Sequence, residues 1–143
     1  MGLLAADIND AGITVLSSDG IVYREPGYAL LDSDGLTTGA DAYAHARLDP
    51  RRIHNRFWSE LTTDALPDRR FRHLSAADLV SRQLEQLWRS ARSKGDRLIL
   101  SIPAYMSSDN LGLLLGICNE LDLPVVAMID AAVAATRREY VKA

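Results

Sequence analysis

One cysteine, two tryptophans and two phenylalanines are scattered through 143 residues. With Cys118 alone, no internal disulfide and no Cys-based metal cluster can form, and the lone thiol fits a reducing compartment. No apolar run approaches the roughly 20 residues that cross a bilayer. The opening Met1-Gly2-Leu3-Leu4-Ala5-Ala6-Asp7 has no basic stretch of the secretory kind. A cytoplasmic location with no membrane partner is therefore the expectation. His45, His54 and His73 are too dispersed for a metal-ligand pattern, although Asp49 lies near His54. Ser101, Ser107 and Ser108 lack the glycine elbow of a serine hydrolase. Repeats and low-complexity tracts are missing too, while 48% hydrophobic and 24% charged residues describe an ordinary globular chain.

The net charge of −3 hides an uneven distribution. Residues 46–97 hold twelve Lys and Arg against seven Asp and Glu, and the remainder holds four against twelve. Arg51, Arg52, Arg56, Arg69, Arg70 and Arg72 sit in the basic part. Such a cluster suits a solvated surface, and it is also the footprint of nucleic-acid or acidic-partner binding through segment 47–72.

Hydrophobic patterning and turn residues predict an α/β chain. Strands are expected at Leu3–Ile8, Ile13–Leu16, Ile21–Tyr23 and Tyr28–Leu31, separated by turns at Asn9–Gly12, Ser18–Gly20 and Asp32–Gly35. A short helix follows over Ala40–Arg47 and stops before Asp49-Pro50. Residues 51–74 show no period and read as an irregular insertion, pinned by Phe57, Trp58, Leu61 and Leu66. Ser75 with Asp78 forms a capping-box pattern for a helix over Ala76–Ser93, ended by Gly95. Leu98–Ile102 and Val125–Ile129 are apolar enough for buried parallel strands, joined by a helix capped by Ser107 or Ser108 and running to Leu121. A last helix is expected over Ala131–Tyr140. An antiparallel meander followed by βαβα gives a mixed, ribonuclease H-like sheet flanked by helices.

This order of elements resembles the first lobe of the actin / sugar kinase / heat-shock chaperone ATPase superfamily. Leu100-Ser101-Ile102-Pro103-Ala104-Tyr105-Met106 is similar to the Val-Thr-Val-Pro-Ala-Tyr-Phe segment of the seventy-kilodalton heat-shock chaperones, the branch it most resembles. Asp7-Ile8-Asn9-Asp10-Ala11-Gly12 is similar to the superfamily's Asp-Leu-Gly-Thr-Thr phosphate hairpin. Ile129-Asp130-Ala131-Ala132-Val133-Ala134-Ala135 stands where the chaperones have Asn-Glu-Pro-Thr-Ala-Ala-Ala, and Gly39 with Ala42 resembles the superfamily's Gly-x-x-Ala at the helix after the meander.

The resemblance implies ATP or ADP with Mg²⁺ bound between two lobes as a conformational switch. ATP hydrolysis would then need the whole protein, and the isolated lobe is expected to be inactive and to hold nucleotide weakly. Asp7 would organise metal-bound water, Asp130 would handle metal or attacking water, and Asn9, Asp10, Ala11 and Gly12 would form the phosphate turn. Residues 1–143 would be a single N-terminal lobe with an Arg-rich insertion at about 48–74, a fragment of a longer chain. Its partners would be the second lobe and a protein client or co-chaperone.

The hairpin departs from the pattern in two places. Asn9 stands for a Gly, and Asn tolerates the left-handed conformation better than most residues. Asp10 stands for a Thr, and a carboxylate beside phosphate needs a cation between them. Asp7 and Asp10 sharing a metal is one alternative, and an Asx-capped hairpin turn is another. No Lys matches the family's phosphate-positioning one; Lys94 lies near a helix end. These departures leave a second reading open, a non-catalytic scaffold or regulatory module.

Overall fold

The computed structural model describes residues 2–32, 35–46, 48, 53–67, 71–103 and 105–130. The helix expected at 131–140 and the Ala131–Ala135 signature lie outside them, as do Arg51, Arg52, Arg69, Arg70, Asp49 and Ala104.

Three strands, β1 (Leu3–Asn9), β2 (Gly12–Ser17) and β3 (Gly20–Pro26), make the expected meander. Asn9 pairs with Gly12 across a two-residue turn, which sets the whole β1–β2 register. Two more strands, β7 (Arg97–Ile102) and β8 (Val125–Asp130), extend the sheet in parallel, giving the order β3-β2-β1-β7-β8. A smaller sheet of order β5-β4-β6 lies apart, built from β4 (Ala29–Asp32), β5 (Gly35–Thr38) and β6 (Ile53–His54).

Two of these strands correct the sequence reading. Gly35–Thr38 pairs with β4 instead of simply leaving its turn, and Ile53–His54 pairs with β4 inside the stretch expected to be irregular. Strands of four and two residues are too short to show a period, so only the pairing reveals them.

The three helices of the described residues are α1 (Ala40–His45), α2 (Ala76–Ala91) and α3 (Ser108–Glu120). The α2 start carries the full capping box: the Asp78 amide donates to Ser75 Oγ, and the Ser75 amide donates to Asp78 Oδ2 at 2.7 Å. Ser107, not Ser108, caps α3 by accepting from the Asn110 amide. Right-handed crossovers that step from β1 to β7 to β8 in one direction put both connecting helices on the same face of the sheet. Accordingly, Leu79, Val80, Leu84 and Leu87 of α2 and Leu114, Ile117 and Cys118 of α3 share one core with Leu4, Ala6, Ile8, Ile13, Val15, Leu98, Leu100 and Ile102 of the sheet.

Strand alternation sends the intervening residues to the other face. Leu3, Leu16 and Ile129 there are 42%, 41% and 40% exposed, and Asp7 is exposed beside them. One face of the sheet is therefore a packed core and the other is accessible.

The insertion is tied down by apolar anchors, as expected. Phe57, Trp58, Leu61 and Leu66 are all buried. Trp58 also brings a polar atom inside, and Gln83, fully buried on α2, satisfies it. Trp58 Nε1 donates to Gln83 Oε1 at 2.8 Å, and Gln83 Nε2 donates to the Pro26 carbonyl at 3.0 Å. Both ends of the buried amide are thus paired, which removes the penalty for burying it.

Candidate functional site

The site grows from the β1–β2 hairpin. Asp7 lies on the accessible face, opposite Thr14 on β2, and Thr14 lies opposite Arg24 on β3. Adjacent strands are about 4.8 Å apart, so Asp7 and Arg24 are two strand spacings, about 10 Å, from one another in a single row. A cleft of about 340 Å³ opens over this row, lined by Asp7, Asn9, Ala11, Gly12, Thr14 and Arg24, with Ile13, Glu25 and Pro26 completing it. It presents a carboxylate and a guanidinium at the end of the sheet where β1 terminates. That pairing suits a metal-bound phosphate: a hard cation takes one or two carboxylates and keeps its waters, and Arg meets phosphate oxygens bidentately.

Two glycines let the hairpin tip press on its neighbours. Gly12 has φ +148°, and a side chain on it would collide with the Glu25 carbonyl; one on Gly27 would collide with the Asp10 carbonyl. The Gly27 amide donates to the Ala11 carbonyl at 3.2 Å. Backbone therefore packs on backbone from the tip to residues 25–27.

The tip itself differs from the expectation in three ways. Asn9 does not use the left-handed conformation; among described non-glycine residues only Asp122 does, with φ 54°. Asn9 Oδ1 instead accepts from the Ala11 amide at 2.8 Å, the Asx-turn alternative. Asp10 does not line the cleft: its Oδ1 accepts from the Ser59 amide at 3.0 Å, fastening the insertion to the hairpin. Asp7 and Asp10 thus face different structures and do not form a shared metal site. No group of three or more His, Cys, Asp and Glu among the described residues is placed to hold a metal ion.

Asp130 is also placed differently. Asp7 is level with Ser101 and Ile129, whereas Asp130 is level with Ile102, whose face is the packed one. Asp130 is half-buried there and has interactions of its own. The cause is a register irregularity between Leu98 and Ile99, which takes up one extra residue of β8. Without it, Asp130 would exchange faces with Ile129 and take the one that carries Asp7, because a one-residue slip exchanges the two faces.

Tyr105, past the end of β7, reaches the same hairpin. Burial first, and the Asp10 carboxylate second, raise its phenol above the ordinary value, and a backbone hydrogen bond from Asp10 partly offsets this. Tyr23 on β3 has its phenol raised by burial and then by the Glu25 charge. Cys118 is a buried core thiol pushed up to about 11 by burial, so it stays neutral at physiological pH.

Thr14 and Arg24 are the residues sequence reasoning missed. For Thr14 the signal was available: the two-residue turn fixes the β1–β2 pairing, and counting back puts Thr14 opposite Asp7. For Arg24 it was not, because a register shift between Val15 and Leu16 brings Arg24 opposite Thr14 where plain counting gives Tyr23. The remaining sequence candidates contribute little here. Arg56 and Arg72 are exposed on the insertion, and His45 and His73 are exposed away from the cleft. Among the described residues no helix is long and apolar enough to cross a membrane.

No protein-family model and no curated protein matches this chain. Among the solved structures that resemble it in shape are MreB5 and MamK. MreB5 of Spiroplasma citri bound to ADP superimposes with a TM-score of 0.63 over 90% of this chain, at 16% identity. A non-polymerising mutant of MamK bound to AMPPNP gives 0.61 over 89%, also at 16% identity. This chain spans only 37% and 40% of those two chains. The chain has the fold of the matched part of these two structures, a mixed five-stranded sheet with helices.

Proposed function

We propose that the chain is the first lobe of an actin-like nucleotide-binding protein, taking the phosphates of ATP or ADP with Mg²⁺ against the accessible face of its larger sheet. The observation that carries this is the cleft over Asp7, Thr14 and Arg24 at the β1–β2 hairpin. Asp7 would hold a water of the Mg²⁺ shell, Arg24 would neutralise phosphate charge, and the glycine-relieved tip would bring backbone close to the ligand. Two solved proteins of this shape were captured with ADP and with AMPPNP, which supports the ligand class. ATP hydrolysis, a cytoplasmic location and a second lobe that completes the cleft belong to the same proposal.

Within the superfamily, the chaperone-like branch with a protein client rests on the Leu100–Met106 segment and the looser match at Ile129–Ala135. The two solved neighbours, MreB5 and MamK, favour a filament-type relative instead, since one of them is a mutant described as non-polymerising. Asp130 enters this reading only as a residue of the packed face.

A second reading has its own observation. The Ala11 amide and the Asp10 carboxylate are already engaged within the protein, by Asn9 and by Ser59. A hairpin satisfied in this way suits a scaffold that keeps the fold without nucleotide. Calorimetric titration of ATP·Mg²⁺ into the full-length protein separates the two. Binding that is lost in Asp7→Ala supports the nucleotide lobe. No binding to a folded protein supports the scaffold.

A further inference from the structure

The hairpin tip and the insertion are joined in a closed ring of hydrogen bonds. The Ser59 amide donates to Asp10 Oδ1 at 3.0 Å. The neighbouring Trp58 donates to Gln83, which donates to the Pro26 carbonyl. Gly27, next along, returns to the tip by donating to the Ala11 carbonyl. The Arg56–Glu60 turn that presents Ser59 is itself closed by the Glu60 amide and Ser59 Oγ, both donating to the Arg56 carbonyl. A segment 49 residues away in sequence is thus fastened to the tip of the phosphate hairpin by one carboxylate, and the Trp58 side of the ring is buried beneath it.

We infer that Asp10 is a latch, and that a metal-bound phosphate at the hairpin opens it and frees the Ser59 turn of the insertion. The inference rests on the nucleotide-lobe reading. It follows from the two bonds at the tip. A phosphate oxygen can reach the Ala11 amide only by displacing Asn9 Oδ1, which dissolves the Asx turn that shapes the tip. The incoming charge also has the same sign as Asp10, the next residue, and like charges this close repel unless the cation is shared. Both effects pull the carboxylate from Ser59. The buried Trp58–Gln83–Pro26 arm stays in place because none of its groups touches the cleft except through Pro26. The insertion therefore pivots on Trp58 instead of unfolding, and occupancy of the cleft is displayed at the Ser59 turn of the insertion.

Amide hydrogen exchange at Ser59, measured in the full-length protein with and without ATP·Mg²⁺, tests the latch. Calorimetry on the same samples reports occupancy. Losing one charge-assisted hydrogen bond predicts that Ser59 exchange accelerates by at least about tenfold on binding. Asp10→Ala should exchange fast with or without ligand. Asp10→Asn keeps an acceptor and folds conservatively, so it should bind ATP·Mg²⁺ with a much smaller change at Ser59. Calorimetric binding with unchanged Ser59 exchange in the unsubstituted protein overturns the latch and leaves the nucleotide reading standing. Absence of binding overturns both.

Discussion

The two faces of the larger sheet are built from alternating residues of the same strands, yet they do opposite work. On β1, Leu4, Ala6 and Ile8 are buried under the helices, while Leu3, Asp7 and Asn9 of the alternate set are exposed. The buried set carries the stability of the lobe, because each large apolar side chain removed from water contributes about 1.5–3 kcal/mol. The exposed set carries the row of Asp7, Thr14 and Arg24, where burial would forbid the charges any cleft for phosphate requires. A sheet covered on one side can hold a charged site at no expense to its core, provided register keeps each residue on its own side. Asp130 shows how little is needed to change sides: one extra residue in β8 moves it to the packed face.

The contrast can be broken most strongly at the core. Leu100→Ala should lower stability by about 2–5 kcal/mol in urea unfolding, since Leu100 is fully buried between strands and helices. Asp7→Ala, one strand away on the accessible face, should shift the same curve by less than about 0.5 kcal/mol. Near-equal losses would mean that the two faces are not separated in function. A smaller effect comes from Trp58→Phe. It keeps the aromatic volume and leaves Gln83 Oε1 buried without a donor, at about 1–3 kcal/mol. Full stability in that variant would show that the Trp58–Gln83 bond contributes little.

The smallest effect is in pH. The Cys118 thiol is raised from 9.0 to about 11 in the folded protein, so its neutral form is favoured by folding. That contribution is complete below the unfolded value and is lost as pH climbs from about 9 to about 11, roughly 1 kcal/mol by pH 10. Cys118→Ala should flatten this part of the stability profile. An unchanged slope would assign it elsewhere, to the Tyr23 and Tyr105 phenols, whose raised values cost stability once pH passes about 10.

Much of the scaffold was legible because its signals are local. The Ser75–Asp78 box and the apolar runs at Leu3, Leu98 and Val125 each declare an element within a few residues. Asp7 was singled out by the likeness of Asp7–Gly12 to the superfamily's phosphate hairpin. What escaped was whatever depends on residues far apart in the chain. The Asp10–Ser59 bond spans 49 positions, and β6 exists only because β4 offers it a partner. The face of Asp130 depends on an irregularity in pairing that β8, uniformly apolar up to that residue, does not advertise.

The central claim is that metal-bound phosphate sits on the accessible face at the hairpin. Mapping backbone amide shifts of the full-length protein during an ATP·Mg²⁺ titration tests it most directly. The account predicts shifts centred on Asp7–Thr14 and Arg24–Glu25, extending to Ser59, while Leu79–Leu87 and Leu114–Cys118 stay still. Shifts centred on α2 and α3 with Asp7–Thr14 unmoved, or no shifts at saturating nucleotide, would contradict it.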